Sequence, residues 1–405
     1  MLTPEEIGAP GARAVRRADR GPLTTALFVG LTVTATGGPL ALAALNVPNL
    51  LGDAYRSAGL VAVLGALLFL PALVVWLRYS AQIVAAGGLY SFVEAAVGRP
   101  VALLQATLWI ISYLLYLVYT VSYIAYDLLP AMFPSLVPVR ALLQLVIPVA
   151  IAAVVLLPIR RSAVVIAAVA VGQLVLVAAL AVVATAHLGT ITGSFTTHGA
   201  PGDVALAGGN TALLFICASL PLFLAGEVRG GSPSVRRGLS VGWVVVAVAL
   251  VAALIPLAAA DPALLDAEVP GMALAQQAGS STLATAVGVG VAVSVAGVIA
   301  LEFLALSRLL HAVTARPVPA ISRVLAVVLV AGSAASLVNP MQVYSFLLKP
   351  SLVALWLAQL IVFVVYPWFV ARRRRVRARD IALASGASAL MLFGLYSTVL
   401  NQLGT

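Results

Sequence analysis

Eleven apolar runs, each about the length needed to cross a bilayer, leave this chain few folds. They lie at roughly 22–47, 58–78, 101–127, 141–159, 163–186, 204–226, 241–260, 282–307, 322–338, 342–370 and 381–400. A helix rises about 1.5 Å per residue, so about 20 residues cover the hydrocarbon core. Within lipid every backbone N–H and C=O must find a partner inside the protein, which leaves helices for runs of this length. The first run is about twice as long as the apolar part of a secretory leader, so it reads as a crossing. Composition agrees: 62% of the residues are apolar and only 9% are charged, where soluble domains carry about a quarter charged. A soluble enzyme, a disordered chain and a nucleic-acid binder are thereby excluded, although the net charge is +10. The partner is the lipid bilayer, not nucleic acid.

The positive charge writes topology. With the N-terminus in the cytoplasm, 20 of the 23 Lys and Arg residues fall on the inner side, and only Arg56, Arg140 and Lys349 fall outside. Cytoplasmic loops carry this excess. Eleven crossings then put the C-terminus outside. The expected organisation is a cytoplasmic tail at 1–21, a five-helix unit at 22–186, a second and inverted five-helix unit at 204–370, and a basic loop with a peripheral helix at 371–405. The arginines at 372–379 are expected to sit at anionic headgroups. The single cysteine excludes an intrachain disulfide, and the three histidines show no metal-ligand spacing.

Two crossings carry helix breakers near mid-depth. The first reads Thr36-Gly37-Gly38-Pro39, and the sixth reads Cys217-Ala218-Ser219-Leu220-Pro221. Glycine and proline weaken a helix, and freed backbone survives at that depth only inside protein or beside a wet cavity. Crossings one and six open the two sets of five. Because five is odd, the second set is inverted. Interruptions in matching places of inverted halves point to a midplane binding site.

Three further segments resemble the amino acid–polyamine–organocation (APC) transporter superfamily. The first is Ala86-Gly87-Gly88-Leu89-Tyr90-Ser91 with Glu94, Gly98 and, later, Trp109. The second is Gly226-Glu227-Val228-Arg229 through Pro233, and the third runs from Ser307-Arg308 to Arg316-Pro317-Val318-Pro319. The resemblance covers about residues 22–370. It implies an all-α, leucine-transporter-like fold of five plus five inverted helices, with helices 1 and 6 broken. It also implies alternating-access transport of amino acids or related amines. Two departures stand out. Eleven crossings replace the usual twelve, and both broken segments differ from the family pattern, so the substrate stays open. A nucleobase or another organic cation is an alternative substrate class, and a channel or sensor of the same fold is an alternative function.

The residues themselves suggest roles. Gly37 and Gly38 could present free N–H groups to a carboxylate, with Thr36 adding a hydroxyl. The carbonyls of Cys217, Ala218 and Ser219 and the Ser219 hydroxyl could take an ammonium group, or that hydroxyl could bond to its own helix. Five tyrosines from Tyr113 to Tyr126 share one face of the third crossing. Of these, Tyr116 is a candidate to line the site, while packing with interhelical hydrogen bonds is the other reading. Glu302 lies within the eighth crossing, where carboxylates are costly and usually functional. It could carry a coupling proton, or pair with Arg308 or Arg229. Glu227 reads as a gating contact to loop arginines. The eighth crossing offers only Ser294 as a central hydroxyl, which favours a proton over sodium as coupling ion. No cofactor is expected. No catalytic constellation or phosphate loop is present in the sequence, so an enzyme is not expected.

Overall fold

The computed structural model describes residues 21–188 and 192–400. The N-terminal tail, with Arg13, Arg16, Arg17 and Arg20, lies outside the described residues. Among the described residues are eleven helices long and apolar enough to cross a membrane. They are α1 (Thr25–Asn46), α2 (Pro48–Ser80), α3 (Arg99–Met132), α4 (Pro134–Val155), α5 (Ile159–Leu188), α6 (Pro201–Glu227), α7 (Gly231–Ala259), α8 (Ser281–Thr314), α9 (Val318–Val338), α10 (Pro340–Ala371) and α11 (Ala378–Leu400). Each matches one of the eleven apolar runs. Two shorter helices, Leu89–Val97 and Pro270–Gln277, lie between crossings.

The packing repeats itself when helix numbers are advanced by five. Helix α1 lies on α7, and α6 lies on α2; α5 lies on α8, and α10 lies on α3. The pairs α1–α6, α2–α7, α3–α8 and α4–α9 map onto themselves, and all four are in contact. This exchange symmetry is that of two five-helix sets of opposite orientation. Side chains such as Val171, Val182, Val248 and Val327 are more than 60% exposed. An apolar exterior of this kind belongs against lipid. The protein is a multi-pass membrane protein.

Helix α1 is held by small residues. Carbon added at Gly242 or Gly238 of α7 would collide with Thr32 or Phe28, and carbon added at Gly30 would collide with Ala167 of α5. Glycine at such contacts lets helix backbones approach closely in lipid. The α-helical part of α1 ends at Ala35. Gly37 and Gly38 take φ of 70° and 68°, a region that side chains resist. Pro39 then opens a new helical turn, where its missing N–H does no harm. The breaker sequence thus makes a true interruption here.

Helix α6 behaves differently. It is α-helical from Pro201 to Leu214 and then winds on as a 3₁₀ helix from Phe215 to Glu227, through Pro221. The expected opening at Cys217–Pro221 is a change of winding rather than an unwound gap. A 3₁₀ helix closes each carbonyl onto the third residue along, so the backbone stays largely paired. Two π-helical turns also occur, at Leu42–Asn46 in α1 and at Ile124–Leu128 in α3.

One end of the bundle carries the arginines. All the described basic residues except Arg56, Arg140 and Lys349 lie at the ends that include Arg78, Arg99, Arg229, Arg308 and Arg372. The basic run after α10 is not simply a headgroup anchor. Asp380, fully buried, accepts from Arg78 at 2.5 Å and from both terminal nitrogens of Arg374 at 2.8 Å. The Arg377 N–H also reaches Asp380, and Arg78 donates to the Tyr366 hydroxyl. This cluster ties α2, α10 and α11 together at the arginine-rich end.

Candidate functional site

A cavity of about 540 Å³ begins at the α1 interruption and widens away from the arginine-rich end. Its depth holds Gly37, Cys217 of α6, Tyr113 and Tyr116 of α3, and Val298 and Glu302 of α8. Its mouth holds Asn46, Asn49, Tyr123, Asp127 and Glu268. One side is closed by α10 and α11, through Ser351, Leu355, Trp356, Ser397 and Thr398. The last helix therefore forms wall, not only periphery: Trp356 Nε1 donates to Thr398 Oγ1 at 3.0 Å, and Gly394 packs on the Trp356 ring.

Glu302 is the outstanding group. It is 0% exposed, and neither carboxylate oxygen has a hydrogen-bond partner. Tyr113, Tyr116 and Cys217 lie within its electrostatic reach. It makes no ion pair, because Arg308, two turns along α8, donates to Glu227 Oε1 at 2.8 Å and to Ser307. The sequence-level alternative of a Glu302–Arg308 pair is thus replaced by a Glu227–Arg308 pair. Among the cavity-lining residues are Glu302, Asp127 and Glu268, and no Lys, Arg or His.

The tyrosine face of α3 lines the cavity. Tyr113, Tyr116, Tyr119 and Tyr123 all contribute. Tyr119 stacks parallel to Tyr123 at 6.2 Å, and Tyr113 stacks on Trp109 at 3.8 Å. Tyr126 stands apart, its ring beneath the Arg140 guanidinium at 5.2 Å.

The other candidates fall into two groups. Gly37, Cys217, Tyr116 and Glu302 meet in the cavity. Thr36, Gly38, Ala218 and Ser219 do not line it. Thr36 Oγ1 donates to the Thr32 carbonyl at 2.7 Å. Ser219 Oγ donates to the Ile216 carbonyl at 3.0 Å and accepts from Gln359 of α10 at 3.0 Å. The glycine N–H groups are not free either. That of Gly37 donates to the Ala35 carbonyl at 2.6 Å, and that of Gly38 to the Thr34 carbonyl at 2.9 Å, so they cap the first half of α1.

Gly38 instead holds a polar junction. Ser294 Oγ of α8 donates to Gln173 Oε1 of α5 at 2.7 Å and accepts from the Ala41 N–H at 3.3 Å. A carbon added at Gly38 would land on Ser294 Oγ. The second half of α1, α5 and α8 are thereby tied at one point.

The arginine-rich side of the cavity is shut, and the three segments quoted above from the sequence shut it. Carbon added at Gly226 would lie 2.9 Å from the Ala86 N, and at Gly87 2.6 Å from the Ala312 side chain. Gly88 presses on the backbone and ring of Phe223, and Phe223 packs on Trp109 at 4.3 Å to form the floor. Glu227 reaches Arg308 from the second segment to the third. The chain ahead of α1 joins in: Leu23 donates to the Glu227 carbonyl and accepts from the Arg229 N–H. Glu227 sits in this closure, away from the cavity.

Sequence reasoning missed the mouth. Asn46, Asn49, Asp127 and Glu268 lie at helix ends, where polar residues face water by default. The π turns that end at Asn46 and include Asp127 are invisible to a 3.6-residue period.

No protein-family model matches the sequence, and no curated protein matches it significantly. Solved structures do match. A mutant manganese transporter from Eremococcus coleocola aligns at a TM-score of 0.61 and 14% identity, over 98% of this chain and 90% of that one. The same transporter, in complex with an aromatic bis-isothiourea substituted compound, aligns at 0.56 and 13%, with the same coverages. Mhp1, a nucleobase-cation-symport-1 family transporter with bromovinylhydantoin bound, aligns at 0.57 and 16%, over 100% of this chain and 94% of that one. At such identities the likeness establishes the fold, which is the leucine-transporter fold of five plus five inverted helices.

Proposed function

We propose that this chain is a secondary active transporter of amino acids or related amines, working by alternating access and coupled to protons, and that it belongs to the APC superfamily. The observation that carries the reading is the cavity at the α1 interruption, with the partnerless Glu302 in its wall. A pore needs a continuous path. Here the cavity ends on Trp109 and Phe223, backed by the Glu227–Arg308 pair. That closed floor favours a carrier over a channel. Saturable uptake is expected, rather than a conductance.

The arginine distribution supports a shut end in the cytoplasm and a cavity mouth outside. This is then the outward-facing state, with the N-terminus cytoplasmic and the C-terminus outside. A sodium ion held by α1 carbonyls and an α8 hydroxyl would need Ser294, and Ser294 is already engaged by Gln173 and Ala41. Protons therefore suit the site better as coupling ion. Substrate reaches a tyrosine wall and one carboxylate. Closure of the mouth by the 270–277 helix against α1, where Gly271 sits on Ala44, would precede opening of the floor.

The test is uptake into proteoliposomes, using radiolabelled amino acids and amines with and without a pH gradient. Saturable, pH-gradient-dependent accumulation by the native chain, lost in Glu302→Gln, is the expected result. Native protein that melts cooperatively yet moves no amino acid or amine would overturn the reading.

A further inference from the structure

We infer that Glu302 binds the proton and the substrate's positive charge in turn, so that the carrier exchanges a carboxylate-free organic amine for a proton. The inference rests on the transporter reading and adds the sense of coupling and the substrate class.

The groups around Glu302 come from several helices. Tyr113 and Tyr116 of α3 and Cys217 of α6 line the same cavity, within electrostatic reach of Glu302. From its own helix, Arg308 is committed to Glu227. The described part of α1 carries no charged residue. Arg140 of α4 lies at the far end over Tyr126. The charged residues and histidine of α5 and α9 (Arg160, Arg161, His187 and Arg323) sit at helix ends, and Lys349 of α10 reaches the Val399 carbonyl at the surface. Hence, among the described residues, no cation compensates Glu302. An uncompensated carboxylate at this depth is costly. The empty site is stable as the neutral acid.

A substrate ammonium changes this. As it docks, the carboxyl O–H bond breaks, the proton leaves through the open mouth, and the bonding pair stays on oxygen as a carboxylate facing the ammonium. Charge within the cavity rises by nothing: one proton goes out and one organic cation comes in. Proton and amine cannot share the group, so each displaces the other. After the floor opens, a proton arriving from the other side releases the amine. The coupling is one for one and opposite in direction.

The same cavity disfavours a free carboxylate on the substrate. No lining residue is cationic to receive it, and the acidic side chains of the lining offer it no compensation. The two glycine N–H groups that could have received it cap α1 instead. Tyr113, Tyr116 and Tyr119 offer ring faces, which attract organic cations.

The test uses decarboxylated pairs on purified full-length protein in weakly buffered detergent with a pH indicator. The probes are putrescine against ornithine, agmatine against arginine, and phenethylamine against phenylalanine. At least one amine should bind with release of about one proton, and its amino acid should bind at least tenfold more weakly. Apparent affinity should rise by up to about tenfold per pH unit while the empty site is protonated. Glu302→Gln should abolish the release, and Glu302→Asp should retain it. Binding without proton release, binding with proton uptake, or preference for the amino acids would each overturn the exchange. In those cases saturable uptake would still support the transporter reading. Absence of binding by all six probes would overturn the exchange too, and uptake assays would then decide the transporter reading separately.

Discussion

The Gly38 junction gives a sharp energetic test. Gly38→Ala must hold alanine at φ near 68° and place its Cβ on Ser294 Oγ. With ψ of 110° as well, this lies outside the left-handed helical region, and the backbone penalty for alanine is about 1–3 kcal/mol. Moving the Ser294 hydroxyl aside breaks its bonds to Gln173 and to the Ala41 N–H, both in buried surroundings. Each group left unpaired costs about 1–3 kcal/mol. The sum is about 3–9 kcal/mol, and relaxation of Ser294 brings the expected cost to its lower half. Gly52 supplies the control, because it has φ of 47° and nothing within 4 Å of an added carbon. Gly52→Ala, at φ 47° and ψ −132°, should lose only the backbone part, about 1–3 kcal/mol. The assay is reversible unfolding in mixed detergent micelles, followed by tryptophan fluorescence. A double-mutant cycle completes it: in a Ser294→Ala background the hydroxyl is gone, the nearest α8 atom is the position-294 Cβ at 3.4 Å, and Gly38→Ala should cost only the backbone part, about 1–3 kcal/mol. Equal penalties at Gly38 and Gly52, or additivity in the cycle, would refute the claim that Gly38 holds the junction.

Three other outcomes are expected. Glu227→Gln should weaken the floor, so that Cys217, the only cysteine, becomes reactive to a membrane-impermeant thiol reagent from the cytoplasmic side, and labelling in oriented vesicles measures this. Asp380→Asn should lower the melting temperature by several degrees, because Arg78, Arg374 and the Arg377 N–H lose a shared charged acceptor. Gln144→Leu should cost about 1 kcal/mol in the same unfolding assay, since its Nε2 joins Ser122 of α3 at 2.9 Å, Ser336 at 2.5 Å and the Ser333 carbonyl of α9 at 3.3 Å.

The sequence exposed those features that depend on local physics. Span length, arginine placement and the Gly37-Gly38-Pro39 interruption follow from single segments, and each recurs in the structure. The motif segments were legible as segments, but not that Gly87, Gly226 and Arg308 converge on one closure. Features that depend on alternatives of similar energy were hidden. A Pro-containing stretch at Cys217–Pro221 can unwind or tighten, and here it tightens to 3₁₀. A mid-helix serine can face a ligand or a neighbour, and Ser219 faces Gln359. Glycine N–H groups at a break can point to a ligand or turn back to cap, and those of Gly37 and Gly38 turn back. The Arg374–Asp380 pairing had a signal, a lone acid within a basic run, that headgroup anchoring obscured. The place of α11 against the cavity had none, because nothing in an apolar helix says which side of a bundle it will close.

The two π turns bear on how such a cavity mouth arises. A π turn holds one residue more than an α turn, and each residue turns an α-helix by about 100°. Asn46 ends such a turn and Asp127 lies within one. Deleting one residue from Leu42–Asn46 would restore the ordinary winding and leave what lies beyond it near its present face, whereas a residue gained in a regular α stretch turns everything beyond it by about that angle. The polarity at the rim is therefore a matter of counting as well as of residue type. A single codon gained or lost in the regular winding beside these turns, where nothing absorbs it, would redirect what the mouth presents while leaving the composition of the chain almost unchanged.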